Sequence, residues 1–387
     1  TLGLIDEPCP HRRVSLEYGI PEVEGLRCPY HGWLFNHEGR CTEQPAEPWN
    51  STFKERITTK AYPVQALGGL IFAYLGPQPA PLLPRYDLFV WDNVVRQAGV
   101  TLLPCSYLQC MENSMDPVHA EWLHGYYMDY VWSRKGQPIA PRFRARHKKI
   151  GFDRFDHGII KRRVVEGGTE EDHAWSVGHP VVFPYTLKVS GTGGYNFQIR
   201  VPVDDTHTLH WYYSVYRPGI PISPQTSVPV YDIPFREPSG GFLTDFIIGQ
   251  DMFAWVSQGA VTDREREHLG QSDIGVIMYR ELLKAQLEVG ARGEDPMEVY
   301  RDPAQNRCIV LPQEEALRVF FEREREMSAR MRYQGASDKH GPLRSMVTGL
   351  FAEAEARLAG GEPLLPPIEP PGYPVGYMEH RSAVLIP

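Results

Sequence analysis

Four residues near the start constrain this chain more than any others. Cys9-Pro10-His11 is followed, after sixteen intervening residues, by Cys28-Pro29-Tyr30-His31. Two Cys/His pairs on two loops hold either a tetrahedral zinc or a 2Fe-2S cluster in which two imidazoles replace two thiolates on one iron. Zinc fingers usually place both cysteines before both histidines. Here the pairs alternate, which is the order of the mixed-ligand iron-sulfur centre. Neutral imidazoles remove negative charge and raise the potential of such a cluster to about −150 to +300 mV, so it accepts electrons readily.

Residues 1–85 suit such a cradle. The runs GLIDE, GLRCPYHGWLF, ITTKAYPVQ and GGLIFAYLG read as short strands joined by Gly/Pro turns. Gly32 permits close backbone approach, and Trp33 either covers the cluster or fills the small domain's core. Only eight residues precede Cys9. A β-rich domain ordinarily needs strands on both sides of its first ligand loop, so its N-terminal strands are expected to be incomplete.

Length and charge narrow the rest. The chain has 387 residues, enough for a sizeable core and more than one domain. Net charge is −8 with no long Lys/Arg block, which argues against nucleic acid or an anionic membrane surface as partner. No apolar run is long enough to span a bilayer, and the first residues lack signal-peptide grammar. Six cysteines are too few to staple so long a chain, so a reducing cytoplasm is expected. Neither a phosphate-cradling Gly loop nor a nucleophile elbow occurs.

A second constellation lies in Gln109 to Gly125, QCMENSMDPVHAEWLHG. Asp116 and His119 are three apart and share a helical face. His119 and His124 are five apart, so on an ideal helix their rings diverge by about 140°. They meet at one ion only if the helix ends or is distorted between them, as a π-bulge allows. Two His and one carboxylate with open positions favour non-haem Fe(II). Alone, the segment is equally compatible with two buried, hydrogen-bonded histidines on an ordinary helix.

Pro77, Pro79, Pro81 and Pro84 make residues 76–104 a linker and domain entry. The helix carrying Asp116 starts near Ser106. Residues 126–218 read as a meandering antiparallel sheet. Arg142, Arg144, Arg146, Arg162 and Arg200 are its candidates for gripping an anionic substrate, though each alone is also what a solvated strand carries. Asp251 sits in a buried helical run and needs a cation or several donors, which a metal reached from a second segment supplies. Residues 313–334 form a charged amphipathic helix. The Pro-rich tail 360–387 is expected to be extended and to wrap a neighbouring subunit.

CPH-x16-CPYHGW, ENSMDPVHAEWLH and QD-x6-QGAVTDREREHLGQSD together resemble the terminal oxygenases of the Rieske non-haem iron class, nearest its phthalate-dioxygenase-like and dehydrodivanillate O-demethylase-like branch. The resemblance implies an α+β chain: a Rieske 2Fe-2S domain (1–85) followed by a helix-grip catalytic domain (86–359) of antiparallel sheet plus helices. It implies that Cys9, His11, Cys28 and His31 hold the cluster, and that His119, His124 and Asp251 hold mononuclear Fe(II). Asp116 then corresponds to a carboxylate bridging the cluster of one subunit to the iron of the next, in a homotrimer. Asn113 matches a polar position near that iron. An NAD(P)H-dependent reductase or ferredoxin is the implied donor, with O2 and a small carboxylated or methoxylated aromatic as substrates. O-demethylation, ring dihydroxylation and a plain Rieske electron carrier are the competing functions.

Overall fold

The computed structural model describes residues 2–136, 144–191, 194–313, 341–366, 368 and 372–386. The expected amphipathic helix at 313–334 and candidate Arg142 lie outside the described residues, apart from Gln313. The chain divides into two units: residues 1–84 with 300–306, and residues 85–299 with 307–387.

The first unit is built from short strands because its ligand loops interrupt them. Strands β1 (Leu4–Ile5) and β6 (Ala61–Tyr62) pair, as do β7 (Val64–Leu67) and β8 (Leu70–Ala73). Between them lies a four-stranded sheet of β2 (Ile20–Glu22), β3 (Gly25–Arg27), β4 (Leu34–Phe35) and β5 (Cys41–Glu43). Its core is small: Cys9, Leu16, Cys28, Trp33, Phe35 and Cys41. Segment 300–306 belongs to this unit through Leu82 N–H to the Tyr300 carbonyl, 2.8 Å, and Asn306 Nδ2 to the Leu83 carbonyl, 2.9 Å.

The second unit is one nine-stranded sheet with helices packed against it. In chain order its strands are β9 (Val95–Leu103), β10 (His147–Phe155), β11 (Gly158–Val165), β12 (His179–Val182), β13 (Thr186–Gly191), β14 (Gly194–Asp204), β15 (His207–Tyr216), β16 (Val230–Asp232) and β17 (His380–Val384). In space they run β16-β9-β15-β14-β13-β12-β11-β10-β17, antiparallel except for the β16–β9 pair. The helices are α1 (Asp87–Val90), α2 (Tyr107–Met115), α3 (His119–Glu121), α4 (Met128–Arg134), α5 (His173–Ser176), α6 (Ile247–Ser257), α7 (Ile274–Ala291) and α8 (Gly341–Ala359). Met111 and Met115 of α2 meet Ile150, Phe152 and Ile159 of the sheet and Met278 and Leu282 of α7 in the main core. Met252 and Trp255 of α6 form a second core with Leu103, Cys105 and Cys110. This is the α+β, sheet-plus-helix catalytic architecture the sequence suggested.

Two expectations are corrected. Part of the supposed linker is β9, a strand paired with β15 and β16. A Cβ at Gly99 in its middle would lie 2.3 Å from Ile233, so the residue makes room for a neighbour. Residues 126–134 are helical rather than strand, because Met128 and Trp132, four apart, are both buried. The end of the tail is extended, and there β17 pairs with β10 of its own chain and covers an otherwise open sheet edge.

That edge is locked by charge. Arg162 and Asp153, both fully buried, form an ion pair. Arg162 also donates to the carbonyls of Trp175 (2.6 Å), Ser176 (2.8 Å) and Tyr373 (2.8 Å), while Asp153 accepts from Gly376 N–H at 2.8 Å. Arg162, a substrate candidate from sequence, is therefore the tie that docks the tail.

A second buried pair joins α1 to β13: Lys188 Nζ lies 2.6 Å from Asp87 Oδ2, and Asp87 also accepts from Leu88 and Leu311 N–H. Removing one member strands the other charge, at about 3–5 kcal/mol. Asp87→Ala is expected to lower the thermal transition of the catalytic unit sharply while the cluster's visible absorbance is unaffected at room temperature. The double variant Asp87→Leu/Lys188→Met should recover most of the loss.

Candidate metal centres

Two loops of the first unit repeat one backbone design. Cys9 N–H donates to the Val14 carbonyl (2.9 Å) and its carbonyl accepts from Arg13 (2.9 Å); Cys28 N–H donates to the Trp33 carbonyl (2.8 Å) and its carbonyl accepts from Gly32 (3.0 Å). The fourth residue after each cysteine has positive φ, 63° at Arg13 and 74° at Gly32. Arg13 thus carries a strained backbone that Gly32 adopts freely. The loops bury both thiols, unpaired by any disulfide, and bring the His11 and His31 rings to 4.5 Å. Trp33 stacks on His11 at 4.3 Å, so it both covers the site and belongs to the core. Arg27 braces the second loop from beneath, donating to the Gly32 carbonyl at 2.7 Å and pairing with Glu22 and Glu43.

These residues fit a two-iron cluster better than zinc. His31 Nδ1 is buried with no hydrogen-bond partner, an orphan that a metal satisfies. One tetrahedral ion would draw its ligand atoms tightly together. Among the described residues, only His119, His124 and Asp251 bring three such atoms within 4.8 Å of one another.

That trio is assembled by a local distortion. After α2, Asp116 leaves the helical conformation and Pro117 follows. The chain re-enters as α3 and widens at once into a π turn over Trp122–Tyr127 before α4. Bonds from i to i+5 bring residues five apart toward one face. His119 and His124 therefore converge, their ring centroids 5.1 Å apart. Asp251 arrives from α6, with Oδ1 3.1 Å from His124 Nε2 and 3.7 Å from His119 Nε2. Gln109 fixes α6 relative to α2: its Nε2 donates to the Trp255 and Gly259 carbonyls, and its Oε1 accepts from Thr262.

The electrostatics favour a cation here. Burial alone would raise Asp251, but His124, His119 and Arg200 outweigh it and hold the carboxyl below its usual value. His124 is pulled down by burial yet ends above the usual imidazole value, because Asp251 and Gln250 outweigh that loss. Asp251 Oδ1 is nevertheless without a hydrogen bond. A buried carboxylate oxygen facing two imidazole nitrogens fits a metal, and two His plus one carboxylate with open positions suit Fe(II).

Asp116 does not join the trio. Its Oδ1 accepts from Val118 N–H at 2.7 Å, and its Oδ2 lies 3.6 Å from His119 Nδ1, beyond hydrogen-bond range but close enough to hold that ring's outer side. Asn113 and Asp116 line a cavity of about 140 Å³ together with His119, His124 and Asp251. Arg200 lines it too. Arg144 does not: it pairs with Asp129 and lies over the Tyr126 ring at 5.2 Å. Sequence reading missed Lys161, Arg163 and His179, all on the cavity wall, and Gln250, which bonds His124.

A small β unit with a Cys/His cradle, joined to a unit in which two imidazoles and a carboxylate converge, fits an oxygenase with two iron centres. Residues 2–62 match the Rieske [2Fe-2S] domain. The chain is 40% identical over 316 residues to the oxygenase subunit of 5,5′-dehydrodivanillate O-demethylase from Sphingobium sp. strain NBRC 103272 / SYK-6, covering 80% of this chain and 72% of that one. It is 30% identical to the phthalate 4,5-dioxygenase oxygenase subunit of Pseudomonas putida, covering 76% and 74%. Among solved structures, NdmA of Pseudomonas putida CBB5 shares the fold, with a TM-score of 0.51 at 18% identity over 75% of this chain and 79% of that one. The chain belongs to the Rieske non-haem iron oxygenases, as a terminal oxygenase subunit. It is an oxidoreductase that works with O2 and reductase-supplied electrons, and its cofactors are a 2Fe-2S cluster and a mononuclear non-haem iron. A plain electron carrier is thereby set aside. No helix among the described residues is long and apolar enough to cross a membrane.

Asp251→Ala is expected to lose the mononuclear iron while the cluster's absorbance stays intact, as metal analysis against cluster colour will report. Asp116→Ala is expected to keep both metals and lose turnover. Loss of iron in that variant would make Asp116 a ligand.

Proposed function

We propose that this subunit oxidises a small aromatic acid, by O-demethylation with formaldehyde release where a methoxy group is present. Cys9, His11, Cys28 and His31 hold the cluster in this reading, and His119, His124 and Asp251 the iron. The observation that carries the substrate class is the cavity's charge. Arg200 is fully buried, and among the described residues its guanidinium reaches the Gln198 backbone and side-chain oxygens and the face of Trp255. Lys161, on β11, lines the same cavity. Neither is ion-paired among the described residues, and a buried cation without a counter-ion is costly. A substrate carboxylate supplies that counter-ion. Leu187, Val189 and Ile247 offer the apolar wall an aromatic ring needs.

Bound iron supplies O2 activation, and the cluster supplies electrons received from an NAD(P)H-dependent reductase or a ferredoxin. For a methoxy substrate the balance is ArOCH3 + O2 + 2e− + 2H+ → ArOH + HCHO + H2O. Lys161 and Arg200 hold the carboxylate so that the opposite end of the ring faces the triad. Asp116 orients His119 and, still about a quarter exposed, is available to bond a cluster histidine of a neighbouring subunit, which supports a homotrimer. Six free cysteines support a reducing, cytoplasmic setting. Ring dihydroxylation is the second reading, supported by likeness to the phthalate dioxygenase subunit.

A panel of methoxylated and unmethoxylated aromatic acids, assayed with a surrogate reductase for formaldehyde and for diol, separates the two. Diol without formaldehyde would displace O-demethylation. Lys161→Met is expected to raise KM for an acid about 10–100-fold, the loss of a charge-assisted hydrogen bond, and to leave a methyl ester nearly unaffected. Burial and Arg163 push Lys161 down to about 8 against the pull of Asp116 and Asp251. The lysine is cationic below that pH and neutral above it. kcat/KM for the acid should therefore fall as pH rises through about 8, with the ester's profile flatter over the same range.

A further inference from the structure

We infer that Gln250 is a positioning residue that decides which nitrogen of His124 is offered to metal; this rests on the reading of His119, His124 and Asp251 as the iron site. Gln250 is fully buried on α6, next to Asp251 in the chain. Its Oε1 lies 2.9 Å from His124 Nδ1. An imidazole nitrogen facing an amide oxygen must carry the hydrogen, so His124 donates from Nδ1 and keeps Nε2, the atom 3.1 Å from Asp251, as the lone-pair donor.

The amide cannot turn around to reverse this. Gln250 Nε2 donates to the Thr244 carbonyl at 2.9 Å and lies 3.5 Å from Met128 Sδ. A flipped amide would set Oε1 against the Thr244 carbonyl oxygen and present N–H to His124 Nδ1. That nitrogen would then have to accept, moving the hydrogen to Nε2 and blocking the ligand atom. The backbone carbonyl of Thr244, through one side chain, thereby selects the tautomer of His124.

The two histidines are supported differently. His119 has the Asp116 carboxylate on its Nδ1 side, whereas His124 has a neutral amide. A neutral acceptor beside Asp251 orients the ring without adding another negative charge to a buried site.

The test is iron affinity, measured by chelator competition on protein with an intact cluster. Gln250→Met keeps the volume and removes the acceptor. It is expected to weaken iron binding about 10–100-fold, the usual effect of losing a hydrogen-bond partner of a ligand histidine. Gln250→Glu keeps an acceptor on His124 Nδ1 and, protonated on its other oxygen in this buried site, still donates to the Thr244 carbonyl, so it is expected to hold iron about as tightly as the wild type. A packing role predicts the reverse order, since apolar Met is tolerated in a buried site and a buried carboxylate is not. Unchanged affinity in Gln250→Met, or weaker binding in Gln250→Glu, overturns the inference. Should Gln250→Met lose its cluster through misfolding, Gln250→Glu against wild type decides alone. Wild-type protein with no iron at this site would instead remove the triad reading itself.

Discussion

A carboxylate oxygen of Asp251 and Nε2 of His124 face each other across 3.1 Å in a buried site. Such a pair is stable when positive charge, a proton on the imidazole or a metal ion, is shared between them. His124 is held by Gln250 on its other nitrogen, and Asp251 is fixed on α6. The surrounding structure keeps the two apart at that distance by clamping the elements. Gln109 pins α2 to the end of α6, and Glu112 on α2 receives Arg264 and Arg280 from the region of α7. Iron binding and helix packing are thus coupled: the clamps hold in place the groups that a metal would join.

The cations around the cavity and core of the catalytic unit separate into two kinds. Arg162 and Lys188 are fully matched, each with a carboxylate and backbone carbonyl acceptors, although Arg162 also reaches the cavity wall. They hold the tail and α1 to the sheet. Arg200 and Lys161 line the cavity and lack a carboxylate partner among the described residues. Scaffold charges are neutralised at folding. Under the proposed function the other two are left for the substrate to neutralise.

How much of this the chain reveals depends on whether the signal is local. The Rieske domain is legible because each Cys/His pair lies within one loop, where spacing alone sets the geometry. His119 and His124 are legible only conditionally: their five-residue separation demands a π turn, and one is present over Trp122–Tyr127. β9 was hidden because Pro77, Pro79, Pro81 and Pro84 mark a linker and nothing local shows where it ends. The pairing of the tail was hidden because its partner, β10, lies more than 200 residues away in sequence.

The run Lys161-Arg162-Arg163 shows where reading stops. Three consecutive cations on a strand must alternate between faces, but nothing local says which face meets the cavity. The sequence offered Arg162 only as one of five arginines and passed over Lys161; both reach the cavity wall, and the fold pairs Arg162 with Asp153. By itself the chain determined its chemistry: two kinds of iron centre and an α+β scaffold, because ligand spacing and strand alternation are written in adjacent residues. Only the tertiary structure decided which cations line the cavity and that Gln250 meets His124. Both depend on which faces of distant strands and helices are pressed together, and that is settled by packing.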